Sequence, residues 1–244
     1  MKLQRLLSLT RQAIDAYHMI NPDDHIALGL SGGKDSLTLL YALANLRKFY
    51  PSSFQLSAIT VDLGLGNLFL EPIRTLCDEL SVPYQIIPTE IGKILFDIRK
   101  ESNPCSLCAK LRKGALNRTA KELGCNKVAY AHHRDDLIET MMLSLLYEGR
   151  FYAFSPYTYL DRMDLTVIRP LMFVTEPEVV GFQHKYQLPV CKNPCPVDGQ
   201  TKREYVKNLA KQLEKENPGA KNRMFHAILD GQIPGWPAAT TKTP

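Results

Sequence analysis

No run of apolar residues in this chain approaches the roughly twenty needed for a helix to cross a bilayer, which excludes a helical membrane protein. The start, Met1-Lys2-Leu3-Gln4-Arg5, opens an amphipathic helix and not the charged-then-apolar order of a secretion signal. Internal repeats are missing too, so solenoids and repeat arrays fall away. Without a secretion signal, six cysteines argue against a disulfide framework and toward metal or redox chemistry in a cytoplasmic protein. Neither sign of charge dominates: 30 Lys and Arg against 25 Asp and Glu leave a net charge of +5. That balance suits a polyanionic partner without demanding one.

What is present fits one α/β core with a small appendage, at 244 residues, 45% hydrophobic and 23% charged. Apolar spacing predicts an N-terminal helix over residues 2–19. Strand and helix patterns then alternate: strands at 26–30, 55–62, 84–87, 127–131 and 167–171, with helices between them. Alternation of this kind implies a parallel sheet covered by helices on both faces, a Rossmann-like architecture. The segment 149–163 shows little periodicity and reads as a surface loop. Beyond residue 188 the rhythm changes to a cysteine loop, two basic helices at about 201–213 and 220–229, and a tail with too little to bury. The expected organisation is an N-terminal helix (1–24), an α/β nucleotide-binding domain with an inserted Cys-x-x-Cys loop (25–187), a cysteine loop with basic helices (188–231) and a flexible tail (232–244).

Ser31-Gly32-Gly33-Lys34-Asp35-Ser36 stands where the first strand ends and a helix begins. Two glycines allow a sharp turn and a close approach to a ligand, and the free amides at the helix start point at whatever anion fills the turn. Ser31 and Ser36 add hydroxyls and Lys34 a mobile positive charge. Asp35 beside a phosphate makes sense with a cation or as a helix cap. The glycine spacing is not that of a Walker A loop. Ligands of parallel sheets sit beyond the carboxyl ends of the strands, where Asp62 and the motif His132-His133-Arg134-Asp135-Asp136 also fall.

Cys105 and Cys108 have the spacing that lets two thiolates share one metal centre. With Cys191 and Cys195 they would close a structural zinc site. With one later cysteine they would instead hold a [4Fe-4S] cluster with one iron left open. Spacing leaves both outcomes standing, and Cys77 and Cys125 read as packed thiols.

The Ser31 loop resembles the SGGxDS signature of the PP-loop ATP pyrophosphatases, which cut ATP between its α and β phosphates. With Pro104-Cys105-Ser106-Leu107-Cys108, the segments Leu111-Arg112-Lys113-Gly114 and Arg118–Gly124, His132–Asp136 and Ile168-Arg169-Pro170-Leu171, the chain resembles the TtcA family of tRNA 2-thiocytidine synthetases over nearly all of residues 1–231. The resemblance implies a PP-loop fold with ATP and Mg2+ at Ser31, Gly32, Gly33, Lys34, Asp35, Ser36, Asp62, His132 and Asp136. It also implies a [4Fe-4S] cluster on Cys105, Cys108 and Cys195, the last matching the family's later Pro-Cys at Pro194-Cys195. Asp35 and the three cysteines would be catalytic. Implied partners are tRNA, through its anticodon loop, and a sulfur donor such as a cysteine desulfurase or free sulfide, with the enzyme a homodimer. The family's second cysteine after that Pro-Cys is replaced here by Asp198, and the wording after Asp62 also differs. A related sulfurtransferase acting on another nucleoside or a small molecule, and a zinc-stabilised RNA-binding protein, are the competing readings.

Overall fold

A computed structural model describes residues 1–66, 69–99, 104–191, 195, 202–231, 233–241 and 243. The expectations placed on Asn67, Pro194 and Asp198 lie outside them. Among the described residues six strands form one sheet, β1 (Asp24–Gly29), β2 (Phe54–Asp62), β3 (Tyr84–Pro88), β4 (Lys127–Ala129), β5 (Tyr157–Leu160) and β6 (Leu165–Ile168), in the order β3-β2-β1-β4-β6-β5. The pairings β2–β3, β1–β2, β1–β4 and β4–β6 are parallel, and β1 lies in register with β2 from Asp24↔Phe54 to Gly29↔Ile59. The α/β architecture expected from the alternation is therefore present.

Alternation along β1 assigns the two faces. Ile26 and Leu28 point into the larger apolar cluster, with Leu37, Leu40 and Phe182, whereas Ala27 joins a smaller one with Ile59, Leu116 and Val128. The larger cluster is roofed by α1 (Leu3–Ala16) and α2 (Lys34–Leu46), and α3 (Glu71–Glu79) contributes Ile73, Leu76 and Cys77 to it. A short α4 (Ile91–Lys93) continues as a π-helical turn over Ile94–Ile98, and α5 (Pro104–Glu122) roofs the smaller cluster. At Gly29 a Cβ would lie 2.8 Å from the Leu116 Cδ2, so glycine there lets α5 come down onto the sheet.

The sheet departs from the sequence-based expectation at one edge. Tyr157–Leu160, read as part of a surface loop, forms β5 and pairs antiparallel with β6. A turn over 161–164 is too short for a parallel crossover, and Tyr157, Thr158 and Tyr159 are exposed, so no buried alternation announces the strand. The first strand also starts two residues earlier than its apolar run, at Asp24.

Helix α6 (Arg134–Glu148) follows β4, and α7 (Glu176–Tyr186), α8 (Lys202–Glu216) and α9 (Ala220–Asp230) follow β6. Both α6 and α7 begin with a capping box, His133 with Asp136 and Thr175 with Glu178, and α7 carries Pro in its first turn. The tail differs from the loose segment that composition suggests. Ile233 is buried, the Trp236 Nε1 donates to the Ala153 carbonyl at 3.0 Å, and the Thr240 amide donates to that of Ala16 at 2.8 Å.

Candidate active site

Leu30 ends the first strand by donating its amide to the Ile59 carbonyl, and the chain then turns through Gly32 at φ +77°. A side chain is disfavoured at that φ, and its Cβ would stand only 3.1 Å from the Cβ of Cys191. Gly33 is extended and α2 starts at Lys34. Two hydroxyls brace the turn from inside. The Ser36 Oγ donates to the Gly33 carbonyl at 2.9 Å and accepts from the Ser31 amide at 3.2 Å, while the Ser31 Oγ accepts from the Gly33 amide at 3.3 Å.

A chain of charges leads outward from this turn. The Lys34 Nζ lies 3.0 Å from the Asp35 carboxylate and 3.5 Å from that of Glu176, which also accepts from the Lys207 Nζ at 2.5 Å. On its other side Asp35 meets the His133 Nε2 at 3.6 Å. The His133 Nδ1 accepts from the Asp136 amide, so in the neutral ring the proton sits on Nε2, facing Asp35. Asp136 accepts from the His133 amide at 2.9 Å and from the Arg203 guanidinium at 3.0 Å.

Lys34, Asp35, Asp136, Cys105, Cys108 and Cys195 line a single cavity of about 380 Å³. Against the loop expected for the Cys-x-x-Cys, the two cysteines occupy the first turns of α5, where a spacing of three puts them on one side of the helix. Arg112 follows Cys108 one turn later and lines the same cavity. Burial pushes the Cys108 thiol up, and Arg112 opposes that shift by charge and hydrogen bond. A second cavity of about 340 Å³ shares Asp35, Arg112 and Asp136 with the first and is lined by Ser31, Ser36 and His132. The two chambers therefore meet at Asp35 and Asp136.

Not every residue picked out in the sequence enters these chambers. The Asp62 carboxylate accepts from the Gly64 amide at 2.9 Å, and Asp62 lines neither cavity. Gly32 and Gly33 shape the turn without forming the walls. His132 enters only the second chamber, half-buried with its ring against Phe154 at a centroid distance of 4.7 Å, and desolvation together with Arg169, Arg203 and Lys113 lowers its pKa to about 3. Its Nδ1 is buried and has no partner among the described residues. Cys191 sits behind the glycine turn, its amide donating to the Gly32 carbonyl at 2.9 Å and its thiol 3.2 Å from the Phe69 carbonyl, so it turns away from the wall that carries Cys195. Cys77 and Cys125 are packed thiols as read, both pushed up by burial, to about 12 and about 11.

Arg112, His133, Glu139, Glu176, Arg203 and Lys207 also line the first cavity and were not singled out as site residues in the sequence. His133 had a signal, its place inside the His-His-Arg-Asp-Asp motif. Glu139 is 5% exposed, and burial with Asp136 nearby raises its pKa to about 7.

Three of the residues that line the first chamber are thiols, the donors that an iron–sulfur group takes. Among the described residues, no three His, Cys, Asp or Glu side chains are gathered closely enough to hold one metal ion. Cys105 and Cys108 from α5 and Cys195 from a distant part of the sequence all line the one chamber of about 380 Å³. Lys34, Arg112, Arg203 and Lys207 line the same chamber, and Lys34, Arg203 and Lys207 are paired there with Asp35, Glu176, Asp136 and Glu139, so the chamber offers both cations for phosphate and carboxylates for a metal ion.

Residues 5–213 match the family model of the PP-loop domain ATP_bind_3. The chain is 39% identical over 243 residues to the tRNA-cytidine(32) 2-sulfurtransferase of Pelobacter propionicus, a match covering 95% of this chain and 90% of that one. It is 35% identical over 230 residues to the enzyme of the same name from Geobacter sulfurreducens, covering 93% and 90%. Among solved structures it is similar to the U34-tRNA thiolase NcsA from Methanococcus maripaludis with its [4Fe-4S] cluster. The TM-score is 0.74 at 27% identity, over 91% of this chain and 76% of that one.

Proposed function

The chain belongs to the PP-loop family and, within it, to the tRNA-cytidine(32) 2-sulfurtransferases, and from that premise we propose that it replaces the C2 oxygen of an anticodon-loop cytidine with sulfur at the expense of ATP. One observation carries the reading at the level of residues. Thiols from two distant parts of the sequence line the same chamber as the lysine and aspartate of the phosphate turn.

A pyrimidine carbonyl is a poor electrophile with a poor leaving group. In the proposed reaction the C2 oxygen attacks the α phosphorus of ATP and pyrophosphate departs, leaving an O-adenylated base. Sulfide sulfur then adds at C2, the C2–O bond breaks, and AMP leaves with the oxygen. The residues have distinct parts in this. The turn amides and Lys34 hold the β and γ phosphates, and Lys34 is released for that task from its contacts with Asp35 and Glu176. Asp35 and Asp136, at the junction of the chambers, would hold Mg2+, and His133 orients Asp35 through Nε2. Arg203 keeps Asp136 aimed inward. Cys105, Cys108 and Cys195 would hold a [4Fe-4S] cluster, which when bound supplies an iron site open to sulfur. The reading takes tRNA as substrate and a cysteine desulfurase or free sulfide as donor, with the enzyme a cytoplasmic homodimer. No helix among the described residues is long and apolar enough to cross a membrane.

The test is anaerobic reconstitution with iron and sulfide, then incubation with unmodified tRNA, ATP, Mg2+ and sulfide. Digestion to nucleosides and mass spectrometry should find 2-thiocytidine, with AMP and pyrophosphate formed in step. A thiouridine product, or AMP without any thionucleoside, overturns the reading. In the same preparations Cys195→Ala should lose most of its iron and Cys191→Ala should keep it.

A further inference from the structure

An exposed patch of rings and cations runs from the mouth of the first cavity along α6 and α8. Leu145, Leu146 and Tyr147 at the end of α6 are 48%, 55% and 46% exposed, and Tyr205 on α8 is 59% exposed. The Lys202 ammonium lies over the Tyr147 ring, 4.6 Å from its centroid, which ties the two helices into one surface. Tyr205 follows Lys202 by three residues and shares its side of α8, the side turned away from the cavity-lining Arg203 and Lys207.

The patch is aligned with the site. Asp136, Thr140, Leu143 and Tyr147 recur at spacings of four, three and four along α6, so Tyr147 shares a face with the cavity's Asp136. Eleven residues separate them, roughly 16 Å along a helix, the span of two to three extended nucleotides. On α8 the cations Arg203, Lys207, Lys211 and Lys215 recur every four residues, the first two inside the cavity and the last two exposed. Exposed rings, one of them under the Lys202 ammonium, and exposed cations at Lys211 and Lys215 on the same helix as Tyr205 match the two needs of single-stranded RNA, base stacking and phosphate neutralisation.

We infer that Tyr147 and Tyr205, with the α8 cation line, form a docking platform for the unpaired nucleotides that flank the target base. The inference rests on the tRNA-modifying reading above. The rings stack on bases next to the one in the chamber, and Lys211 and Lys215 follow the phosphates outward. Arg150 is a weaker contributor, because Glu148 lies 2.7 Å from its Nε.

The experiment measures binding of a tRNA anticodon stem-loop by fluorescence anisotropy, over a range of salt concentrations, to the full chain and four variants. Tyr147→Ala combined with Tyr205→Ala should weaken binding at least tenfold, with the salt dependence unchanged. Lys211→Ala combined with Lys215→Ala should lower the slope of log affinity against log salt by about one to two. Tyr147→Phe and Tyr205→Phe should bind as the parent does. In all four variants binding of Mg–ATP in the absence of tRNA, measured by equilibrium dialysis, should persist, which establishes that the fold and the phosphate turn are intact. If the ring-less double variant binds the stem-loop like the parent, the platform is wrong, as it is if that variant loses only self-association in sedimentation. If the parent itself binds no tRNA, the tRNA-modifying reading fails instead.

Discussion

Glu139 and His132 stand near the junction of the two chambers, and burial moves them in opposite directions. Glu139 is raised to about 7, by burial and then Asp136, so the folded protein keeps a proton there that the unfolded chain releases above about 4.5. Stability is therefore lost as pH rises from about 4.5 to about 7. His132 is lowered to about 3 from 6.5, so the unfolded chain binds a proton that the folded one refuses. Stability is lost there as pH falls below about 6.5. Each slope is about 1.4 kcal/mol per pH unit at most, and between pH 4.5 and 6.5 they oppose one another. Relative to the parent, Glu139→Gln should gain about 2 kcal/mol in urea unfolding between pH 5 and 6.5, and His132→Phe should lose a similar amount. If both variants follow the parent's pH profile, neither residue carries the perturbed proton. The sequence marks His132 through its motif but says nothing of Glu139. A glutamate in a helix pattern reads as solvated surface until a neighbouring helix covers it.

The first turn of α6 gathers three other helices. Asp135, 4% exposed, accepts from the Glu176 amide at the start of α7 and from the Lys221 Nζ on α9, each at 2.7 Å. Those contacts hold its carboxyl below the usual range despite its burial. On the next residue Arg203 brings in α8. Removing one partner of such a pair leaves a buried charge uncompensated, so Lys221→Ala should cost about 3 to 5 kcal/mol. Arg5→Ala removes an ion pair with Glu178 in which Arg5 is 61% exposed, and should cost under about 1 kcal/mol. Equal shifts of the urea midpoint in the two variants would deny Asp135 its clamping part. At this scale the chain is legible where the signal is local: the capping residues, the apolar periods and the glycine turn all sit beside the elements they start or end. It is not legible at Tyr157–Leu160, whose exposed side chains carry no inward pattern. Nor do Arg203 and Lys207 reveal that α8 closes the cavity wall, because a basic helix looks the same whether its charges meet water or carboxylates.

Across the whole molecule, the parallel sheet brings residues 31–36 and 105–112 to one end, where Cys195, Arg203 and Lys207 join them, since every parallel strand delivers its following segment to the same side. Each motif is visible separately in the sequence. Their shared chamber depends on the sheet, and on α8 folding back across α6. The consequence is a competition that can be measured without any cluster. In cluster-free protein, Mg–ATP held by Lys34 and Asp35 occupies the chamber onto which Cys105, Cys108 and Cys195 open, so it should slow their alkylation by iodoacetamide severalfold. Cys191, behind the glycine turn, should react at the same rate with and without nucleotide. Cys77 and Cys125, buried and with thiols pushed far above neutral pH, should react slowly in both cases. Peptide mapping by mass spectrometry reads all six sites in one experiment. Protection confined to Cys191, or none at the three cavity thiols, would separate the nucleotide from the sulfur-handling wall and remove the spatial basis of the proposed chemistry.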